Sequence, residues 1–283
     1  MVDCCRPNPP CINFCRLDGH LLKGKGVIIN PESGNRYEVL RVLAEGGMST
    51  TYLVYNYAME KLCVLKEIDS DLSSMAKARE LFQREARILK SLSHRGIPLF
   101  YDFFASKNYY SLIMEMIYGD SLQMVNPRSE KEAVGWMLQL AKILDYLHNL
   151  PKPVIHRDIK PSNLILRHNP EEIVLIDFGA VKEVTQKPGT RIATAGYGSP
   201  EQKKGLSYIQ SDFYGVGTTL IYLLTRKSPT KFFNPVLNRF VGLEKAGISS
   251  PLVEIINFLT QFDYTKRPQS AIALVDLFTQ FRK

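Results

Sequence analysis

The hydrophobic periodicity of this chain changes near residues 117–120, and that change limits the folds that the chain can adopt. Before it, from Tyr37 onward, apolar and polar residues alternate in short segments separated by turns, which predicts an antiparallel sheet. The first three strand-like segments read YEVLRVLAEGG, TTYLVYN and KLCVLKEID. After the change, the pattern is mainly helical. We therefore predict an α+β fold with two lobes, a small β-rich lobe at 36–117 and a larger, mainly helical lobe at 118–283.

The same periodicities predict further elements within each lobe. The β-rich lobe has one helix and two later strands, at 75–92, 99–104 and 110–116. In the helical lobe, a long amphipathic helix at 129–149 and a mostly helical region at 200–283 flank two short strand-like runs, at 163–166 and 173–176.

Residues 1–35 lack periodicity and are rich in Pro, Gly, Asn and Cys, so we expect an irregular N-terminal extension there. The 283 residues are 45% hydrophobic and 23% charged, a composition typical of a globular protein. The net charge of +8 comes from scattered residues, which argues against a nucleic-acid partner. No apolar run approaches the roughly 18 residues of a membrane span, and the N-terminus has no secretory signal. We therefore expect a cytoplasmic protein.

Two charged residues occupy positions that are otherwise apolar. In the strand at 62–68, Lys66 shares a face with three aliphatic residues. In the helix at 75–92, Glu85 lies within the apolar stripe. An unpaired ammonium group away from water is costly, so Lys66 and Glu85 are natural partners. Taken alone, the pair is more typical of a structural ion pair, or of a lysine that extends to the rim of the lobe.

Two carboxylates follow directly after apolar runs. Asp158 stands in VIHRDIKPSN and Asp177 stands in VLIDFG. An acid at the end of a strand, next to a cleft, is well suited to bind a metal ion or to accept a proton. Turn formation and helix capping are nevertheless the commoner roles of Asp in loops. These two residues alone leave the choice open.

Nine motifs follow one another along the chain: LAEGGMSTTY, CVLK, FQREA, MEM, IHRDIKPSN, IDFGAVK, TAGYGSPEQ, SDFYGVG and KRP. Any one of them occurs by chance in unrelated proteins, but the complete ordered set is highly specific. From about Tyr37 to the C-terminus, the chain resembles a eukaryotic-like serine/threonine protein kinase catalytic domain of the bacterial type. The resemblance implies the bilobal protein-kinase-like fold over 36–283 and an ATP-dependent phosphotransferase activity.

The resemblance also implies a role for each catalytic residue. Lys66 would hold the α- and β-phosphates of ATP, and Glu85 would hold Lys66 in place. Asp158 would accept the proton of the substrate hydroxyl group, and Lys160 would steady the γ-phosphate during its transfer. Positioning and charge neutralisation of this kind are what phosphoryl transfer requires of a protein.

ATP is expected between the lobes, with Mg²⁺, or Mn²⁺ in its place, on the hard oxygen ligands of Asn163 and Asp177. The nucleotide contacts implied by the resemblance lie in the glycine-rich loop, beside the lysine and at the hinge. They are Leu43, Ala44, Gly46, Gly47, Ser49, Thr51, Val64, Lys66, Met114, Glu115, Met116, Asn163 and Asp177. The loop carries Ala44 and Ser49 where glycines are usual, so we expect a weakened affinity for ATP at most.

The segment IKPSN after HRD is similar to that of serine/threonine kinases, and so is Thr194 in the substrate-docking loop. Protein substrates with Ser or Thr are therefore implied. Between DFG and SPE the chain offers Thr185, Thr190 and Thr194 for phosphorylation, and a phosphate there could bind Arg157. We predict autophosphorylation on Thr185 or Thr190, with a loop that is ordered without phosphate as the equal alternative.

The main alternative function is a pseudokinase that acts as a scaffold or a nucleotide sensor. Such proteins usually lack at least one catalytic residue, whereas all are present here. A kinase for small molecules is disfavoured by Thr194 and by the intact SPE segment, whose Glu201 is expected to pair with Arg267.

Four of the five cysteines, Cys4, Cys5, Cys11 and Cys15, lie in the N-terminal extension. Three of them together with His20 could supply the four ligands of a zinc site, although two clean C-x₂-C pairs are absent. Redox-sensitive thiols and a passive, reduced extension are the alternatives. The sequence does not indicate an oligomeric state.

Overall fold

The computed structural model of the chain describes residues 26–46, 49–68, 73, 75–106, 109–183 and 194–282. These residues divide into two compact units. Unit 1 contains the described residues up to Ser93 together with Pro98–Met116, and unit 2 contains His94–Ile97 and the described residues from Ile117 onward. Unit 1 is built on a sheet and unit 2 mainly on helices, so the predicted α+β fold with a β-rich and a helical part is confirmed.

Among its described residues, unit 1 contains a six-stranded antiparallel sheet and a helix of 16 residues. The strands are β1 (Val27–Ile29), β2 (Arg36–Glu45), β3 (Ser49–Asn56), β4 (Lys61–Ile68), β5 (Phe100–Ser106) and β6 (Tyr109–Glu115), in the order β1-β2-β3-β4-β6-β5. Helix α1 (Ala76–Ser91) buries a stripe that includes Leu81, Phe82 and Leu89. The sheet core contains Tyr37, Val54, Cys63 and Leu65, because alternate residues of each strand point to the same face.

Strand β1 lies within 1–35, where the sequence predicts no regular element. It pairs with the start of β2, with Val27 opposite Glu38 and Ile29 opposite Arg36. The turn that follows is held by Asn30, whose Oδ1 accepts hydrogen bonds from the backbone N–H groups of the second and third residues after it. Such local bonds to the backbone leave no periodic signal, which is why the strand is not visible in the sequence.

Unit 2 contains four further α-helices among its described residues: α2 (Glu130–His148), α3 (Ile209–Thr225), α4 (Ser250–Leu259) and α5 (Ala271–Arg282). Helix α2 begins at Ser129, whose hydroxyl oxygen accepts a 3.2 Å hydrogen bond from the backbone N–H of Glu132. Helices α2 and α3 carry the largest sets of buried residues among these helices, and both lie in the interior of the unit. Of the helices in the described part of the chain, none is both long enough and apolar enough to cross a membrane.

Short strands complete unit 2. They are β7 (Gly119–Ser121), β8 (Val154–Ile155), β9 (Leu164–His168), β10 (Glu171–Leu175), β11 (Lys182–Glu183), β12 (Phe233–Asn234) and β13 (Arg239–Phe240). They pair as β10-β9-β7, β11-β8 and β12-β13. The last pair departs from the helical structure predicted over 200–283. Asn234 Oδ1 accepts hydrogen bonds from the N–H groups of Val236 and Leu237, and this Asx turn, with Pro235 inside it, favours a hairpin.

Candidate active site

Lys66 and Glu85 form the ion pair that the sequence predicts in unit 1. Lys66 Nζ lies 2.7 Å from Glu85 Oε1, and only 12% of the lysine side chain and 4% of the glutamate side chain are exposed. Lys66 stands on β4 between Thr51 of β3 and Leu112 of β6. The opposite face of β4, with Cys63 and Leu65, is the fully buried one. Lys66 therefore lies on the less buried face of the strand.

The glycine-rich loop closes the turn between β2 and β3. Ala44 lies in β2 opposite Thr51 of β3, so its backbone is extended and needs no glycine. Gly46 donates a 2.9 Å hydrogen bond from its N–H to the carbonyl of Ser49. A Cβ atom at Gly46 would lie 3.2 Å from that carbonyl oxygen, so a close backbone approach favours glycine here. Gly47 lies outside the described residues.

The hinge positions lie at the end of β6. Met114 is opposite Val64 and Glu115 is opposite Cys63. The N–H of Glu115 donates a 2.8 Å hydrogen bond to the carbonyl of Leu99, and Glu115 Oε2 accepts one of 3.1 Å from the N–H of Leu99. These two bonds fix the end of the strand. Met116, the next residue, is half-buried. Leu43 of β2, the first of the predicted nucleotide contacts, is exposed.

In unit 2, three predicted residues meet, namely Asp158, Lys160 and Asn163. Lys160 Nζ lies 2.6 Å from Asp158 Oδ2. Asn163 Nδ2 donates to the same oxygen at 3.0 Å and to the backbone carbonyl of Asp158 at 2.9 Å. Since both acceptors are oxygen atoms, the amide group of Asn163 presents its nitrogen to them, and its Oδ1 is the atom that can bind a cation.

A fourth residue reaches Asp158 from the predicted substrate-docking loop. The hydroxyl of Thr194 donates a 2.6 Å hydrogen bond to Asp158 Oδ1 and accepts one of 3.3 Å from Lys160 Nζ. Both oxygens of Asp158 are therefore hydrogen-bonded. A carboxylate held in this way has a fixed direction.

Asp177 lies at the start of a short 3₁₀ turn (Phe178–Ala180) in a left-handed conformation with φ of 64°, which is uncommon for a residue with a side chain. Its Oδ1 accepts a 3.3 Å hydrogen bond from the N–H of Gly179. One residue earlier, the N–H of Ile176 donates to the carbonyl of Asn163 at 2.9 Å, which brings the two predicted metal-binding segments side by side. One carboxylate and one carboxamide oxygen are ligands that suit Mg²⁺.

The loop that carries Asp158 is anchored by Asp212 of α3, which the sequence analysis did not identify as functional. Asp212 is buried, and its carboxylate accepts hydrogen bonds from the N–H groups of His156 at 2.9 Å and Arg157 at 2.8 Å. His148 Nε2 lies 3.0 Å from the same carboxylate. Asp212 belongs to the motif SDFYGVG, and it stands as a charged residue at the start of an apolar helix, but neither signal indicates the backbone groups that it binds.

Complete burial holds the pKa of His156 below its usual value, against the opposing charges of Asp212, Asp158 and Asp177. Its ring packs edge-on against Phe178 with the centroids 5.2 Å apart. His156 is therefore a neutral packing residue that connects the Asp158 loop to the Asp177 turn.

Several predictions lie outside the described residues: the phosphorylation sites Thr185 and Thr190, and the cysteines Cys4, Cys5, Cys11 and Cys15. Within the described ranges, no group of three or more His, Cys, Asp or Glu side chains could hold a metal ion. The predicted pair of Glu201 and Arg267 is present, with Arg267 Nη1 2.7 Å from Glu201 Oε1.

Comparison with known proteins agrees with this geometry. The protein kinase domain family matches residues 37–277. "Serine/threonine-protein kinase D" of Synechocystis sp. is 34% identical over 265 residues, which are 87% of this chain and 52% of that protein. "Serine/threonine-protein kinase PknA" of Nostoc sp. is 39% identical over 215 residues, which are 69% of this chain and 38% of that protein. The chain thus spans about half or less of the length of these relatives. The extent of the family match shows that this chain belongs to the protein kinase domain family.

Proposed function

We propose that this chain is a serine/threonine protein kinase that transfers the γ-phosphoryl group of ATP to Ser and Thr hydroxyls of proteins. The observation that carries the proposal is the arrangement around Asp158, where Lys160, Asn163 and Thr194 all bond to one carboxylate. The names of the bacterial relatives support the same reaction and the same class of substrate. The proposed domain covers 36–283 together with strand β1 of the preceding segment, which pairs with β2.

In this proposal the residues of unit 1 bind the nucleotide. The ammonium group of Lys66 neutralises the α- and β-phosphates, and Glu85 keeps it in position through the 2.7 Å ion pair. The turn at Gly46 brings backbone N–H groups to the phosphates, and the backbone near Glu115 and Met116 binds the adenine.

The residues of unit 2 carry out the transfer. The substrate hydroxyl oxygen bonds to the γ-phosphorus as the bond from phosphorus to the ADP oxygen breaks, and the hydroxyl proton passes to Asp158. Lys160 neutralises the charge on the moving phosphoryl group. Asn163 and Asp177 would hold Mg²⁺, or Mn²⁺ in its place, and a cation bound there would supply charge neutralisation for the phosphate oxygens.

Autophosphorylation forms part of the proposal. Thr185 and Thr190 are the acceptors that we propose, since a phosphate on either could bind Arg157. Mass spectrometry after incubation with Mg-ATP detects phosphate on these threonines directly, and its absence would contradict the proposed autophosphorylation.

Metal analysis of the wild type and of Cys11→Ser decides whether the N-terminal cysteines bind zinc.

The decisive experiment is a γ-phosphate transfer assay with a generic basic protein and with Ser/Thr peptides, run beside Asp158→Asn and Lys66→Met. We expect transfer by the wild type and almost none by either variant, with all three proteins folded by circular dichroism. Wild-type transfer no higher than that of the two variants would instead favour the pseudokinase, in which nucleotide binding occurs without transfer.

A further inference from the structure

The Gln202 side chain is hydrogen-bonded to Ser199 and to Arg157 in the interior of unit 2. Gln202 begins the short 3₁₀ turn Gln202–Lys204 and is 3% exposed. Its Nε2 donates a 2.7 Å hydrogen bond to the backbone carbonyl of Arg157. Its Oε1 accepts bonds from the backbone N–H of Ser199 at 3.0 Å and from the Ser199 hydroxyl at 2.9 Å.

These three bonds fix the orientation of the amide group. Two donors from Ser199 converge on Oε1, so the nitrogen must face the carbonyl of Arg157. A reversed amide would place oxygen against oxygen at one end and N–H against N–H at the other. Ser199, which stands where protein kinases usually have Ala, thereby has a physical role as the second donor to Gln202.

The carbonyl that Gln202 binds belongs to a residue in a costly conformation. Arg157 has φ of 69°, in the left-handed region, and is buried. A non-glycine residue keeps such a conformation only where its surroundings determine it strongly. Here the N–H of Arg157 is bonded to Asp212 Oδ1 and its C=O to Gln202. That C=O belongs to the peptide group that leads into Asp158, so its orientation determines where the Asp158 side chain points.

The residues just before Gln202 also contact Asp158, at its side-chain carboxylate. The carbonyl of Thr194 accepts hydrogen bonds from the N–H groups of Tyr197 and Gly198, both 3.0 Å, which makes 194–198 a compact turn. Its first residue bonds to the carboxylate of Asp158, and Ser199, directly after it, orients Gln202. Residues 194–202 therefore hold Asp158 at its carboxylate and at the preceding peptide group.

We propose that Gln202, oriented by Ser199, is a positioning residue that sets the direction of Asp158 relative to Thr194. The proposal rests on the proposed kinase activity. Gln202 itself touches no reacting atom and acts through the backbone of Arg157.

The test compares Gln202→Leu, which keeps the approximate size but removes the amide, with Ser199→Ala, which leaves the backbone donor in place. We expect Gln202→Leu to lower kcat for a Ser/Thr peptide about 10- to 100-fold, because a small displacement of a catalytic group has effects of that size. Ser199→Ala should lower it only about threefold, since one donor to Oε1 remains. KM for ATP should stay within about twofold in both, because the residues that bind the phosphates are unchanged.

The double variant separates positioning from a general loss of stability. If the Ser199 hydroxyl acts only through Gln202, adding Ser199→Ala to Gln202→Leu lowers kcat no further. Additive effects would contradict the proposal. Thr260→Val is the matched control, because it removes a buried 2.7 Å bond from a hydroxyl to the carbonyl of Ile256 within the same unit. A loss of kcat in Thr260→Val equal to that in Gln202→Leu, at equal loss of Tm, would also overturn it.

Amide hydrogen exchange gives a readout that does not depend on activity. Gln202→Leu should accelerate exchange at Ser199 and at residues 156–158, while the amides of α2 remain protected. Unchanged exchange at those positions would overturn the positioning role. If the wild type had no transfer activity while Gln202→Leu still accelerated exchange at these positions, only the proposed function would be contradicted. The failure of the positioning role and the failure of the proposed function are therefore distinguishable.

Discussion

Glu201 and Arg267 form a buried ion pair through two hydrogen bonds, Nη1 to Oε1 at 2.7 Å and Nη2 to Oε2 at 2.9 Å. Ser211 adds a third bond to Glu201 Oε1 at 2.7 Å, and the Arg267 guanidinium lies 5.0 Å from the centre of the Tyr214 ring. The arginine side chain is completely buried. The pair connects the SPE segment to the start of α3 and to the region before α5.

Replacing Glu201 should destabilise unit 2 strongly. Glu201→Gln leaves the buried guanidinium of Arg267 without a countercharge, and breaking a buried pair in this way costs about 3–5 kcal/mol. Urea unfolding followed by circular dichroism measures the loss. Lys77 and Glu80 form an exposed ion pair, so Glu80→Gln is a suitable control, with an expected change below about 1 kcal/mol. Equal losses of unfolding free energy in Glu201→Gln and Glu80→Gln would show that burial does not strengthen the effect of breaking the pair.

The ion pair of Glu201 and Arg267 should also make the free energy of unfolding depend on pH. Burial alone would raise the pKa of Glu201, but hydrogen bonds and charge from Arg267 outweigh it and hold the pKa below its ordinary value of 4.5. The unfolded chain therefore takes up this proton more readily than the folded protein. The stabilisation is present above pH 4.5 and is lost as the pH falls through the folded-state pKa. The difference in unfolding free energy between wild type and Glu201→Gln should accordingly shrink below pH 4.5; a constant difference would show that folding does not lower the pKa of Glu201.

Thr194 offers a test of the contact with Asp158. Thr194→Val keeps the shape of the side chain but removes the 2.6 Å hydrogen bond, and we expect kcat to fall on the order of tenfold. Thr194→Ser keeps the hydroxyl and should retain most of the wild-type rate. Steady-state kinetics with one peptide substrate compare the two variants. Equal rates for the valine and serine variants would mean that the hydroxyl group has no role in catalysis.

Replacing Lys66 should lower the rate of phosphoryl transfer more than replacing its partner Glu85 does. Lys66→Met removes the cation and should reduce transfer by about 10²–10³-fold, as loss of a charge-stabilising donor does. Glu85→Gln keeps an oxygen acceptor for Lys66 Nζ and should cost about tenfold. Both variants are compared with the wild type by measuring kcat and KM for ATP, and Tm shows whether they are folded. A wild-type kcat and KM in Glu85→Gln would contradict the positioning of Lys66 by the ionised carboxylate.

Asp102 should stabilise the attachment of β1. Its Oδ2 accepts hydrogen bonds from the hydroxyl of buried Tyr37 at 2.6 Å and from Asn30 Nδ2 at 2.8 Å. Burial, reinforced by Asp102, raises the pKa of Tyr37 and keeps its hydroxyl protonated. Asp102→Ala leaves the Tyr37 hydroxyl without this acceptor and should cost about 1–3 kcal/mol. Tyr37→Phe removes one bond and strands no buried donor, so its loss should be smaller. Urea unfolding and exchange at the amides of β1 measure both; a larger loss in Tyr37→Phe would contradict this account.

The sequence predicts the contacts that depend on side-chain periodicity. Lys66 and Glu85 could be paired because each is the charged residue on an otherwise apolar face. Asp212 and Gln202 could not be assigned in this way, since they bind backbone groups of residues far away in the sequence. Every residue has those backbone groups, so they leave no pattern. The hairpin of β12 and β13 is not predicted for a different reason, because its residues FNPVLN stand within a region whose periodicity is mainly helical.

Strand β1 has a practical consequence for anyone who produces this chain in shortened form. The sequence suggests a start at residue 36, but a chain cut there would lack the partner of Arg36–Glu38 and the amide of Asn30 that reaches Asp102. The exposed backbone at this sheet edge would then be available for pairing with other molecules. A start at or before residue 26 keeps the edge covered, and the solubility of the two proteins should differ accordingly.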